Sequence, residues 1–246
     1  MIWPLLRTRR WLGFTVLVAV VIIAFGLLSA WQWSRAEDRR AERDILSAAT
    51  SAPAIPVDRA LAAPPAAWEW TPAVAEGTYD TVHEVVVRKR PLDAMNGFWV
   101  LTPLLTDGPT VWVNRGWIPV GADALTTPSV PPPPAGIVEV AGYLVPFETA
   151  DPTRNEGLPL GQVAAPALTL LPDVSASAGG VLQLASSVPE QQGVRALPLP
   201  EVDDARNISY AVQWLIFAGV AIGGWYFFLR REAREDAMAT APPRSG

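Results

Sequence analysis

The chain has 246 residues, no cysteine and one histidine, so thiolate nucleophiles, disulfides, iron–sulfur ligation, cysteine-based zinc or copper sites and multi-histidine metal sites are excluded. Its formal net charge of −5 argues against a nucleic-acid partner, and it carries no P-loop, GxGxxG or GxSxG motif. One lysine against abundant Ala, Arg and Pro suggests a GC-rich bacterial source.

In chain order, a basic tail (Arg7, Arg9, Arg10) precedes an uncharged stretch over 11–34. About 20 apolar residues in a helix cross a hydrocarbon core, so this stretch is predicted to span a membrane. A cleaved signal peptide has a similar start, but the apolar run here is too long for one. It also ends in Ala30-Trp31-Gln32-Trp33 rather than a small-x-small site. An uncleaved anchor is the expectation. A second uncharged stretch over 207–229, followed by Arg230 and Arg231, is the second predicted span. Gly219, Gly223 and Gly224 within it permit close helix packing. Trp11, Trp31, Trp33, Tyr210, Trp214, Trp225 and Tyr226 lie towards the ends of the two spans and read as interfacial anchors rather than a cofactor box.

Charge orients the hairpin. The tails 1–10 and 230–246 hold seven arginines against three acids, while residues 35–206 hold twelve basic and twenty-one acidic residues. Basic flanks stay cytoplasmic, so both termini are expected in the cytoplasm of a bacterial cell and the intervening domain outside it. Arg35, Arg39, Arg40 and Arg43 oppose this, but they interleave with Glu37, Asp38, Glu42 and Asp44 as in an ion-paired helical continuation.

Residues 35–206 open with a short charged helix to Leu46 and a Pro/Ala-rich linker with one helical turn around Val57–Leu61. Predicted strands follow at Thr71–Tyr79, Val82–Arg88, Gly97–Leu105, Thr110–Trp117, Ile137–Val145 and Val181–Ser186, rich in Val, Trp, Phe and Thr. Asp107-Gly108 marks a hairpin turn, Pro131–Pro134 a stiff extended insert, and Pro146–Pro166 a long, mobile or functional connection. The fold class expected is a two-span α-helical membrane hairpin carrying a mostly antiparallel β-rich (α+β) extracytoplasmic domain, its sheet closed or sandwiched. Alternation in Thr110–Trp117 puts Val111 and Val113 on one face and Trp112 and Asn114 on the other, a central strand, with Gly116 marking a bulge or close backbone approach.

Five motifs in order carry a family resemblance: Trp31-Gln32-x-x-Arg35; Gly77-Thr78-Tyr79-Asp80; Phe98 to Leu104 with Asp107-Gly108; Val113-Asn114-Arg115-Gly116-Trp117-Ile118-Pro119; and Ser209-Tyr210-Ala211-Val212-Gln213-Trp214. Together they resemble the signatures of the Surfeit locus protein 1 family, V-N-R-G-W-x-P being the most specific. The resemblance implies a non-enzymatic assembly factor for haem–copper cytochrome c oxidase. It would act around haem a insertion or early subunit assembly, with the oxidase subunits and the haem a synthesis machinery as partners and haem a as a transient cofactor.

In that family a histidine three residues before the tyrosine of the second span is the proposed haem ligand. Here Asn207 occupies the position, and an amide is a poor ligand for haem iron. The candidate cofactor-binding residues are therefore Asn207, Tyr210 and Arg115, with Arg206 also near enough in sequence to serve a propionate. Arg115 has two readings, pairing with a propionate or partner carboxylate, or pinning a strand-end bulge with Asn114 and Gly116. Trp31, Gln32, Arg35, Gly77, Tyr79, Asn114, Gly116, Trp117 and Trp214 are partner-binding or structural candidates. Gln32 is available for an interhelical hydrogen bond, and Arg35 for snorkelling. His83 reads as a surface histidine on a strand. A membrane-tethered ligand-binding or sensory domain is the alternative function, disfavoured by short tails without room for an output domain. A membrane-bound hydrolase lacks a visible nucleophile–base pair.

Overall fold

The computed structural model describes residues 3–121, 126–174 and 177–239; the remaining residues, Arg244 among them, lie outside the described residues. The chain forms two compact units, residues 1–44 with 201–246, and residues 45–200.

The first unit is a helical hairpin. A four-residue helix α1 (Trp3–Leu6) precedes α2 (Arg9–Thr50), and α4 (Ala205–Ala239) runs back along it. The helix α2 passes without a break through the first apolar stretch and the charged segment after it, the helical continuation expected there, and runs on past Leu46 to Thr50. On α2 the covered positions include Trp11, Phe14, Thr15, Val18, Ile22, Phe25, Ser29, Gln32 and Ala36, and on α4 they include Asn207, Ala211, Trp214, Ala218, Ala221, Gly224, Trp225 and Leu229. Steps of four and three alternate on most of both seams, the spacing of a left-handed supercoiled pair. The helices are antiparallel, because Ser29 Oγ donates to the Ala211 carbonyl (2.9 Å) while Trp225 Nε1 donates to Thr15 Oγ1 (3.1 Å). Phe25 stacks on Trp214 with ring centroids 5.5 Å apart. Away from the seam, Leu12, Val16, Leu17, Val20, Leu215, Ile216 and Val220 are exposed. Both helices are long and apolar enough to cross a membrane.

Two expectations are corrected in this unit. Trp11, Trp214 and Trp225 lie on the seam rather than serving only as interfacial anchors. A Cβ added at Gly219, Gly223 or Gly224 meets nothing within 4 Å, so no contact across the hairpin requires a glycine at these positions.

In the second unit, β1 (Ile55–Pro56) leads into α3 (Val57–Leu61). The strands β2 (Pro72–Tyr79), β3 (Val85–Val87), β4 (Gly97–Leu105), β5 (Thr110–Pro119), β6 (Val138–Pro146), β7 (Gln162–Val163) and β8 (Ser177–Val188) follow. They make one sheet in the order β1-β2-β6-β8-β5-β4-β3-β7. A further pairing of Thr78 with Leu105 and Tyr79 with Leu104 joins β2 to β4. The strands β2, β6, β8, β5 and β4 therefore close into a ring. The run β6-β2-β4-β5 within it is a Greek key, with β6 returning to lie beside β2. Closure removes most of the exposed sheet edge.

The sheet is mixed but mostly antiparallel, as expected: β1 with β2, β3 with β7 and β5 with β8 pair parallel, and the other five pairings among the described residues are antiparallel. The β5–β8 pairing follows from the topology. The chain leaves β5, returns as β6 beside β2, and after the long segment that carries β7 comes back antiparallel to β6 as β8, which then runs alongside β5.

Val111 and Val113 point with Leu104, Val140, Leu144, Leu182 and Tyr79 into the barrel core, closed at one end by α3 and Trp68. Trp112 faces the other way, into a second cluster with Val87, Leu101, Val163 and Leu171. The segment after β6, expected as a long connection either mobile or functional, is held by its own hydrogen bonds and a small buried cluster. Asp151 Oδ1 accepts from the Thr153 N–H (2.9 Å), Asn155 bridges the Leu170 carbonyl and the Ala164 N–H, and Ala165, Ala167 and Leu170 are buried.

Candidate functional site

The V-N-R-G-W segment lies at the end of the barrel, and each of its residues has a local reason. In the β4–β5 ladder Val100 pairs with Gly116 and Leu101 with Asn114, so Arg115 is the extra residue of a β-bulge. Asn114 Oδ1 accepts from the Gly116 N–H (3.2 Å) and fixes the turn of the bulge. Gly116 has φ +131° and presses against the Arg195 carbonyl, where a Cβ would overlap it. Beyond the bulge, the Trp117 and Arg195 backbones exchange hydrogen bonds, and Trp117 Nε1 donates to the Arg90 carbonyl (2.7 Å). The Trp117 indole fills the space a Cβ on Gly97 would need.

The bulge turns the Arg115 side chain into the protein, where it is 0 % exposed. Its Nη1 donates to Glu84 Oε2 (2.8 Å), its Nη2 to the Pro131 carbonyl (2.8 Å) and its Nε to Gln191 Oε1 (3.2 Å). Gln191 Nε2 returns a hydrogen bond to the Arg115 carbonyl (2.6 Å). Thr102 Oγ1 donates to the same Glu84 oxygen at 2.6 Å, and the guanidinium lies 5.7 Å from the Tyr79 ring centroid. One arginine thereby ties together the loop before β3, the proline insert and the segment after β8. Of the two readings of Arg115, this geometry realises the bulge and adds an internal ion pair.

Tyr79 ends β2, and two residues earlier Gly77 lets β2 meet β4, because a Cβ there would overlap the Leu105 carbonyl. Burial pushes the Tyr79 phenol up to about 12, opposed by the positive charge of Arg115. Its Oη is buried without a hydrogen-bond partner among the described residues. Asp80, next along, accepts from the Val82 N–H (3.0 Å) and pairs with His83 Nδ1 (2.6 Å). Desolvation raises the Asp80 carboxyl, but the His83 and Val82 hydrogen bonds outweigh it and hold it below its ordinary range. His83 thus lies in a turn before β3, not on a strand as expected. Chemically the cluster is a brace: the Thr102 hydroxyl is wholly buried, and the carboxylate it meets is held by a guanidinium.

The other candidates belong to the helical unit. Asn207 and Gln32 are partly covered positions on facing seams. The pairing of Ser29 with Ala211 places them at a similar level. Tyr210 is 45 % exposed and Trp31 58 %, Arg35 and Arg206 are exposed, and Trp214 stacks on Phe25. Arg40 and Arg43 both bind Asp204 (2.6 and 3.3 Å), clamping the start of α4 to α2. The Arg40 hydrogen bond holds the Asp204 carboxyl below its ordinary range against a small desolvation penalty. The motif residues therefore divide. Gly77, Tyr79, Asn114, Arg115, Gly116 and Trp117 meet in the barrel unit, whereas Trp31, Gln32, Arg35, Asn207, Tyr210 and Trp214 lie on the hairpin.

The SURF1 family model matches residues 19–219, a span that takes in most of α2, the whole barrel and the first part of α4. This chain is a member of the SURF1 family. An uncharacterised SURF1-like protein of Mycobacterium bovis is 30 % identical over 254 residues, covering 95 % of this chain and 89 % of the relative. SURF1-like proteins of two Mycobacterium tuberculosis strains, CDC 1551 and H37Rv, match to the same extent and are likewise uncharacterised.

Sequence reasoning missed Glu84, Thr102, Gln191 and the Pro131 carbonyl. A strand-end arginine in an apolar run signals the need for an acidic partner, but the sequence does not single out Glu84 among the other acids. At the position where the resemblance places the haem ligand, Asn207 offers an amide, a poor donor to haem iron, and among the residues that follow as far as Tyr210 only that phenol, 45 % exposed, belongs to a ligand class used for haem.

Proposed function

We propose that this SURF1 family member is a membrane-anchored assembly factor for haem–copper cytochrome c oxidase. It would act at haem a insertion or early subunit assembly. The observation that carries this reading is the continuous family match over 19–219, which includes helices and barrel together. The geometry is compatible: a braced barrel, and two helices whose exposed apolar side chains suit lipid and partner helices. In this reading the helices are two spans of a bacterial cell membrane, with both termini cytoplasmic and the barrel outside. The partners are the oxidase subunits and the haem a synthesis machinery, met as a scaffold, and no step runs through iron ligation by Asn207.

A clean deletion tests it. The oxidase absorbance and activity of the membranes should fall while the oxidase subunits are still synthesised, and the full-length chain should restore both. Unchanged oxidase content in the deletion strain removes the assembly role and favours a ligand-sensing domain.

A further inference from the structure

Basic residues gather at the end of the helical hairpin where α2 begins and α4 closes. Arg7, Arg9 and Arg10 meet Arg230, Arg231 and Arg234 there, against Glu232, Glu235 and Asp236. Contact between Arg10 and Glu232 (3.5 Å) shows that both helices contribute to this end. The ion pairs leave the cations accessible: the Arg10 side chain is 82 % exposed and that of Arg231, bound to Glu235, is 66 % exposed. Arg7, Arg9 and Arg234 make no ion pair among the described residues, and Arg230 lies 5.0 Å from the Tyr226 ring centroid.

Two clefts open at this end. One, of about 490 Å³, is floored by Trp11, Phe14 and Phe228 and rimmed by Arg10 and Arg231 together with their carboxylate partners Glu232 and Glu235. The second, of similar volume, is floored by Tyr226, Phe227 and Met238 and rimmed by Arg230, Arg231 and Arg234 against the one carboxylate of Glu235. Trp11 is 4 % exposed, and its indole Nε1 has no hydrogen-bond partner among the described residues. Each cleft therefore joins an apolar aromatic floor to guanidinium donors, which bind phosphate oxygens in a bidentate fork. A free phosphate would use only the rim. A phospholipid with an anionic headgroup uses both parts, with its phosphate at the arginines and the start of its acyl chains on the rings.

We propose that this end of the hairpin binds anionic phospholipid, through Arg230 and Arg234 on one side of α4 and Arg10 and Arg231 on the other. This rests on the membrane reading above. The lipids fix the depth and the tilt of the hairpin at the surface carrying its basic tails.

The test uses the full chain. Alkaline carbonate extraction of native membranes comes first; release of the chain into the supernatant ends the membrane reading and this inference with it. The protein retained in the membrane is then purified in mild detergent, stripped of lipid, and offered phosphatidylglycerol or phosphatidylcholine, with bound lipid counted by native mass spectrometry. Phosphatidylglycerol should be retained about tenfold better, as expected when arginines meet an anionic headgroup. The double variant Arg230→Gln and Arg234→Gln should bring the two lipids near parity, while Arg230→Lys with Arg234→Lys should keep the preference. Equal retention of both lipids by the unmodified protein overturns the proposal, as does loss of the preference in the lysine variant. Displacement of bound phosphatidylglycerol by millimolar inorganic phosphate also overturns it, by showing an anion site indifferent to the chains.

Discussion

Arg115 and Glu84, 31 residues apart in sequence, meet at 2.8 Å with the arginine side chain wholly enclosed. Removing one partner of such a pair strands the other charge, at a cost of about 3–5 kcal/mol. Arg115→Ala should therefore destabilise the barrel unit by about that amount in denaturant unfolding followed by tryptophan fluorescence. Adding Glu84→Gln to it should cost less than the sum of the single changes, because the two residues share one interaction. An Arg115→Ala protein of unchanged stability would show that the brace is not structural and return Arg115 to a ligand-binding role.

Gly116 combines a positive φ with a carbonyl where a Cβ would sit. Gly116→Ala should cost at least about 1–3 kcal/mol from backbone strain alone, with overlap against Arg195 added to it. Gly108→Ala is the control: its added Cβ would meet only Thr106 Oγ1, at an ordinary 3.7 Å. Equal melting temperatures for the two variants would contradict this account of the bulge.

Two groups beside the brace make stability depend on pH in opposite ranges. The buried Tyr79 phenol is pushed up to about 12 from an ordinary 10.0, chiefly by desolvation. Its contribution is complete below pH 10, then shrinks as the unfolded chain ionises first, and is lost as pH rises through about 12. The full difference is about 2–3 kcal/mol. Asp80, held below 3.8, contributes above that value and loses its contribution as pH falls through its folded-state pKa. Phenolate absorbance should show a late-titrating tyrosine that is missing in Tyr79→Phe.

Topology follows from charge on the flanks of the helices. Reporters fused in the loop at Pro131–Pro134 and after Arg231 should report opposite compartments, the former outside the cytoplasm. Cytoplasmic signals from both would refute the orientation.

Asn207→His places an imidazole where this chain has an amide. The purified variant should retain added haem more strongly than the parent, with an absorbance shift typical of axial histidine. A histidine-type haem spectrum already present in the parent and abolished by His83→Ala would instead make the lone histidine the ligand.

Local pattern made a large part of this protein legible. Strand positions from Gly97 to Leu105 and from Thr110 onward, the turn at Asp107-Gly108, the helical turn at Val57–Leu61 and the bulge at Gly116 all follow from alternation, β-branching and glycine placement. The motif resemblance identified the family for a related reason: glycine, asparagine and tryptophan at a bulge are constrained by local geometry, so they keep a readable spacing. Partnership across the chain was not legible. The ring closes through four residues, Thr78 and Tyr79 on β2 with Leu104 and Leu105 on β4, and β5 lies parallel to β8 only because β6 returns beside β2. The sequence left Arg115 between a propionate or partner carboxylate and a bulge, and only tertiary folding brings Glu84, Pro131 and Gln191 around it. On the hairpin, sequence marked Gly219, Gly223 and Gly224 for close packing, yet none of them has an atom within 4 Å of an added Cβ, and the contacts that fix the helix pair run through Ser29, Phe25 and Thr15. Backbone preference acts over a few residues and is written in the chain; which distant side chain neutralises a buried charge is decided only when the whole fold excludes water from it.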